Sequence, residues 1–153
     1  MTVLNKILDL LDSSSVKYTL SEHEPTISSL DAARIRNVDL KTGTKAMVAK
    51  SKENYFLLVL PGNTKINWRK VKNLLGSKDI SLAPLDEVEK LTGLKRGSIP
   101  PFGNILGLET YFDKKVLDNE YVNFNAGSLT HSINMKCADL IRLVQPKIED
   151  FAD

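Results

Sequence analysis

The chain has 153 residues, 42% hydrophobic and 26% charged side chains, and a formal net charge of +2. That length and balance suit one globular domain with a real core, and so small a net charge neither demands nor opposes a nucleic-acid partner. No apolar run approaches the ~20 residues that cross a bilayer, the N-terminus lacks a secretory pattern, and a lone cysteine, Cys137, excludes an internal disulfide and fits a reducing, cytoplasmic setting.

Val3, Leu4, Ile7, Leu8 and Leu11 recur at helical spacing and predict an N-terminal helix within residues 1–15, ended by Ser13-Ser14-Ser15. Val16 to Leu20 alternates and reads as a strand, followed by Glu22-His23-Glu24-Pro25. Ser28 with Asp31 forms a capping box for a helix over about 29–36. A polar loop from Asn37 to Gly43 then delivers Lys45.

Thr44 to Lys50 and Tyr55 to Leu60 read as a hairpin across Ser51-Lys52-Glu53-Asn54. The run Phe56-Leu57-Leu58-Val59-Leu60 is apolar on both faces, which marks a central strand, and Pro61-Gly62-Asn63 stops it. A helix over about 67–75 closes on Gly76, and a short strand runs from Asp79 to Leu82. Pro84, with Asp86 and Glu87 in the first turn, starts a helix that Gly93 caps. Short strands are expected from Ile105 to Thr110 and at Val116-Leu117. Clearer ones are Tyr121 to Phe124 and His131 to Met135, around a turn at Gly127. Ala138, Leu140, Ile141 and Val144 form the last helix, before Pro146 and an acidic tail, 147–153, expected to fray. Helices interleaved with hairpin-linked strands indicate a single α/β domain with a mixed sheet.

The segment Gly97-Ser98-Ile99-Pro100-Pro101-Phe102-Gly103 stands out, because two glycines bracket two prolines and an aromatic. Such a loop is rigid at its centre, lets a ligand approach the backbone, and offers N–H groups to a developing negative charge. The plainer reading is a rigid connector. Several chemistries are excluded. His23, His131 and Cys137 show no metal-ligand spacing, and there is neither a Gly-x-Ser-x-Gly elbow nor a phosphate-binding Gly-rich loop ending in Lys-Ser/Thr. No metal or cofactor is called for. Cys137 starts a helix, which can lower a thiol pKa, though small buried filler is its commoner role.

Lys45 opens an apolar strand, with Met47 and Ala49 on its own face and Ala46 and Val48 on the other. At the mouth of a buried strand its ammonium can be desolvated toward a base, or can serve as a point charge holding an oxygen. Against both stands an ordinary solvated lysine. Ser128 donates to a ligand or finishes the turn, and Phe102 walls a pocket or packs.

Lys45 ahead of its strand, Leu57 to Gly62, Leu91-Thr92-Gly93 leading into Gly97-Ser98-Ile99-Pro100-Pro101, and Ala126-Gly127-Ser128 occur in an order that resembles the YbaK family. These are aminoacyl-tRNA deacylases related to the editing insertion of bacterial prolyl-tRNA synthetases. The resemblance runs from about His23 to about Leu140. It implies a curved, largely antiparallel mixed sheet wrapped by helices and a free-standing enzyme that hydrolyses the ester of a mischarged tRNA. The tRNA acceptor end is the implied partner, and an aminoacyl-tRNA synthetase is a further one the resemblance allows.

By the same resemblance the catalytic set is Lys45, Gly97, Ser98, Ile99, Pro101 and Gly103, and the substrate set is Phe102, Gly127, Ser128 and His131; His23, on a loop before Pro25, joins the substrate set at the site mouth, and against the role of His131 stands a plain structural histidine. Family members commonly carry Thr or Asn after the lysine, where this chain has Ala46. The same pattern also admits a non-catalytic tRNA- or synthetase-binding module and a small-molecule esterase. Arg34, Arg36, Lys41, Lys65, Arg69, Lys70, Lys72, Lys95 and Arg96 are candidate phosphate contacts or ordinary solubilising charges.

Overall fold

A computed structural model describes residues 1–25, 34 and 40–153. Helix α1 spans Val3–Ser13, with the Thr2 side chain accepting from the Asn5 N–H to satisfy one of the free donors at its start. Strand β1, Tyr18–Glu22, follows. The capping box and its expected helix lie outside the described residues, apart from Arg34.

The hairpin forms as β2, Thr44–Ser51, and β3, Asn54–Pro61, in antiparallel register with Lys45 opposite Leu60 and Ser51 opposite Asn54. Helix α2, Trp68–Leu75, is capped by the Asn67 side chain and ends on Gly76 at φ 65°. The short strand is β4, Ile80–Leu82, and α3 is Leu85–Thr92, ending on Gly93 at φ 73°. Then come α4, Gly103–Leu106, β5, Glu109–Asp113, and a 3-10 turn, Lys114–Asp118. Strands β6, Tyr121–Asn125, and β7, His131–Lys136, precede α5, Cys137–Val144, and β8, Lys147–Glu149.

The expected mixed sheet is present as two sheets. One is antiparallel, in the order β1-β7-β6, and the other is five-stranded, in the order β4-β2-β3-β5-β8. β3 is central as its two-sided apolar sequence requires, paired antiparallel to β2 and parallel to β5. A parallel bridge between Gly43 and Asn123 joins the sheets. Between them lies the larger core, where Val48, Leu57, Val59 and Phe112 of one sheet meet Val122, Phe124, Ile133 and Met135 of the other, sealed by Ile7 and Leu11 of α1 and Leu140 of α5. A second cluster, with Leu58, Leu60, Val71 and Phe151, fills the far face of the five-stranded sheet beneath α2.

Three expectations fail, two on local grounds and one on tertiary grounds. The segment expected as a strand from Ile105 to Thr110 begins as the last turn of α4 and becomes strand only from Glu109, because Gly107 at φ 73° terminates the helix between them. Val116 and Leu117 lie in the 3-10 turn, which the Asp113 side chain caps by accepting from the Lys115 N–H. The tail does not fray. β8 pairs parallel to β5, Phe151 and Ala152 are fully buried, and buried Asp113 accepts from both of their N–H groups at 2.8 Å. Charge marks a segment as polar on average, but a single aromatic and two aimed backbone donors suffice to dock it.

Candidate active site

The Gly97–Gly103 loop leaves α3 through Lys95 and enters α4. Gly97 is at φ 85°, a conformation glycine adopts without a Cβ penalty. The Ser98 N–H and hydroxyl both turn back to the Lys95 carbonyl, at 3.1 and 2.7 Å. Ser98 is therefore 3% exposed and its donors are spent inside the loop. The β6–β7 hairpin holds the loop from the other side. The Asn125 amide donates to the Gly97 carbonyl at 2.5 Å, and the Gly127 N–H donates to the Ser98 carbonyl at 3.0 Å.

Of the loop's five N–H groups, those of Gly97, Ile99, Phe102 and Gly103 have no protein acceptor among the described residues. Ile99 is only 8% exposed, and buried N–H groups without a partner are rare in folded chains. The loop thus holds backbone donors that no described group accepts, and donors of this kind can stabilise a developing negative charge.

Strand parity defines the surface beside it. On β6 and β7 the residues Val122, Phe124, Ile133 and Met135 face the core, so Asn123, Asn125, Ser132 and Asn134 face the opposite side. These polar groups form a connected face. The Asn134 amide donates to Asn123 Oδ1 at 2.8 Å, and the Asn123 amide reaches Thr42 Oγ1 at 3.2 Å. The Ser132 hydroxyl lies 3.2 Å from Asn125 Oδ1 and 2.7 Å from His23 Nε2. His23 Nδ1 sits 2.7 Å from the Glu24 carbonyl; a carbonyl only accepts, so that nitrogen carries a proton. His23 is thus tied through Ser132 and Asn125 to the glycine–proline loop.

Lys45 approaches from the five-stranded sheet. It shares its face with Met47, Ala49 and Leu60, the side away from the main core and the same side as the asparagines across the Gly43–Asn123 bridge. It is half-buried, and its ammonium donates to the Thr64 carbonyl at 2.5 Å. Burial, and then the neighbouring charge of Lys65, hold its pKa below the ordinary lysine value.

His131 starts β7, where the β6–β7 turn ends. Its Nδ1 is 2.9 Å from Ser128 Oγ and 3.1 Å from Thr130 Oγ1, and its Nε2 is 3.9 Å from Glu22. Ser128 and His131 thus belong to one turn cluster, with Gly127 in the left-handed region at φ 77° beside it. Phe102 is fully buried edge-on to Phe124, ring centroids 5.6 Å apart, on the core side of β6. Pro101 is buried as well, and Gly103 is packed so tightly that a Cβ there would meet Thr110 Oγ1 at 1.5 Å. Cys137 is buried with its thiol toward the Val116 carbonyl, and burial pushes its pKa up, the opposite of an activated nucleophile.

Sequence reading missed Asn123, Asn125, Ser132, Asn134 and Thr64. A signal was present for the first four. Asparagine is depleted in strands, yet Val-Asn-Phe-Asn and Ser-Ile-Asn-Met alternate it with large apolar residues, as a buried polar face requires.

The profile of the aminoacyl-tRNA editing domain matches residues 23–143. The chain is 30% identical over 151 residues to the multifunctional Ser/Thr-tRNA deacylase ProXp-y of Escherichia coli K12, covering 95% of this chain and 90% of that protein. It is 25% identical to the prolyl-tRNA editing protein ProX of Acetoanaerobium sticklandii, covering 95% and 92%. It also matches 24% of the length of a proline–tRNA ligase of Caldicellulosiruptor saccharolyticus, at 28% identity over 93% of this chain. The fold agrees with a solved structure proposed to be a trans-editing enzyme for prolyl tRNA synthetase, with a TM-score of 0.85 at 20% identity over all of this chain and 98% of that one. The family suggested by the lysine strand, the glycine–proline loop and the Gly127 turn is therefore the right one: the chain belongs to the aminoacyl-tRNA editing domain family.

Proposed function

We propose that this chain hydrolyses the ester that joins a wrongly attached amino acid to the 3′ end of a tRNA, acting in trans on tRNA released by a synthetase. The observation that carries the reading is the set of unsatisfied backbone donors at Ile99, Phe102 and Gly103 in a loop braced from both sides. Water attacks the ester carbonyl carbon, and the carbonyl oxygen gains negative charge. The loop N–H groups stabilise that charge. The tetrahedral species then collapses, expelling the ribose 3′-oxygen, which takes up a proton. Lys45 is a half-buried ammonium on the side of the asparagines. Exchanging Thr64 for a substrate oxygen or the terminal phosphate fixes the acyl group against the loop.

A second pocket of this kind exists because one methylene or hydroxyl supplies too little binding energy for accurate charging. Lys41, Lys65, Arg69, Lys72, Lys95 and Arg96 are exposed and support a phosphate footprint, whereas Lys70 is engaged by Asp150 and lies 3.8 Å from Asp153. The deacylase relative acts on Ser- and Thr-tRNA by its name. Serine- and threonine-mischarged tRNAs therefore head the panel, followed by alanine, cysteine and proline analogues. Release of free amino acid from one of them supports the proposal. Binding without release would make the chain a non-catalytic module, and equal turnover of a free aminoacyl ester would make it a small-molecule esterase.

A further inference from the structure

The β6–β7 hairpin holds two successive carbonyls of the glycine–proline loop. Gly97 O takes the Asn125 side-chain N–H, and Ser98 O takes the Gly127 backbone N–H. A trans peptide is planar, with its C=O and N–H pointing in opposite directions. Fixing Ser98 O therefore fixes the direction of the Ile99 N–H, one of the unpaired donors. Fixing Gly97 O likewise orients the peptide before it, whose Ser98 N–H is held by Lys95. Both ends of the Gly97–Ser98 peptide are thus tied, one by the loop itself and one by Asn125.

The orientation of Asn125 is not arbitrary. Gly97 O only accepts, so the amide nitrogen must face it, and Oδ1 is left toward Ser132. Ser132 in turn contacts His23. A side chain that needs its donor at one end and its acceptor at the other cannot be replaced by an isostere with two acceptors.

We infer that Asn125 is a positioning residue for deacylation: through its hydrogen bond to Gly97 O, backed by Ser132, it fixes the Gly97–Ser98 peptide, which together with the Gly127 bond to Ser98 O aims the Ile99 N–H at the reacting oxygen. This rests on the proposed deacylase reading. It assigns Asn125 no contact with substrate.

The test uses the full chain, mischarged seryl- and threonyl-tRNA, and three variants. Asn125→Ala deletes the contact, Asn125→Asp keeps the volume but deletes the donor, and Asn125→Gln keeps the donor on a longer stem. Ala and Asp should slow single-turnover release about 10- to 100-fold with tRNA affinity changed less than about twofold, while Gln stays within about fivefold of the parent. Should Ala misfold, the isosteric Asp variant carries the comparison. The inference is overturned if Ala and Asp hydrolyse at the parent rate, if Gln falls as far as Ala, or if affinity falls in step with rate.

A readout independent of turnover accompanies it. Amide resonances of Gly97, Ser98 and Ile99 should shift or broaden in the Ala and Asp variants while those of β3 stay put. Undisturbed loop amides would overturn the inference. If the parent releases no amino acid from any tRNA, the deacylase proposal falls, and these resonances alone decide whether Asn125 sets the loop.

Discussion

The side chain of Asn125 donates to the carbonyl oxygen of Gly97 at 2.5 Å, across 28 residues of sequence. A strand end thereby holds a loop whose glycine is already committed to φ 85°. Substituting Gly97 by valine asks a β-branched residue to adopt a left-handed conformation, at a cost on the order of 1–3 kcal/mol. We expect Gly97→Val to lose about 10²-fold or more in single-turnover rate, while thermal melting still shows a cooperative transition. Normal turnover would make the loop a connector.

Lys45→Ala should lower turnover by about 10²- to 10³-fold, the range for losing one preorganised electrostatic contact. Lys45→Arg should not restore it, since a guanidinium is planar, bulkier and never deprotonated in this range. Single-turnover release at saturating enzyme separates chemistry from binding. A parent-like rate for Lys45→Ala would return Lys45 to the ordinary surface lysines.

Lys45 also has a pH signature. Its folded-state pKa is lowered by burial and by Lys65, so between that value and the ordinary 10.5 the unfolded chain binds more protons than the folded one. Its contribution to stability therefore rises with pH across that window. Urea midpoints measured from pH 7 to pH 10 should show less of this rise in Lys45→Met than in the parent, with the variant no less stable at pH 7. A steeper rise in the variant would contradict the sign.

Binding of tRNA should weaken with salt, because counterions are released when phosphates are contacted. An acceptor-end footprint by the exposed lysines and arginines implies a log–log slope on the order of −2 to −4. A slope of zero would remove the electrostatic part of the proposal.

The tail predicts a stability effect far from the site. Phe151 is fully buried, and its N–H and that of Ala152 are held by Asp113. Phe151→Ala should destabilise by about 3–5 kcal/mol, the range for deleting a buried aromatic ring. Urea unfolding measures it, and a loss below about 1 kcal/mol would mean the segment does not depend on that anchor.

Much of the architecture was legible in the sequence, because the relevant signals are local. Five consecutive apolar residues at Phe56–Leu60 can only be comfortable inside a sheet, and β3 is its central strand. Gly76 and Gly93 mark helix ends because the left-handed cap they adopt is open to glycine. The order of the lysine strand, the glycine–proline loop and the Gly127 turn was enough to place the chain in its family.

Tertiary structure decided the rest. The docking of residues 147–153 depends on Asp113, more than thirty residues earlier, and no periodicity within the tail contains that partner. The sequence named His23, Phe102 and His131 as one substrate set and left open whether Phe102 walls a pocket or packs; strand parity and packing give the three different partners. Phe102 turns into the core against Phe124, His131 joins the Ser128 turn, and His23 is the histidine tied to the loop. Which N–H groups of the loop stay unpaired was beyond the sequence too. The Ser98 N–H pairs locally with the Lys95 carbonyl, whereas the two loop carbonyls are held from another element, and only the folded chain brings the Asn125 and Gly127 donors to Gly97 O and Ser98 O.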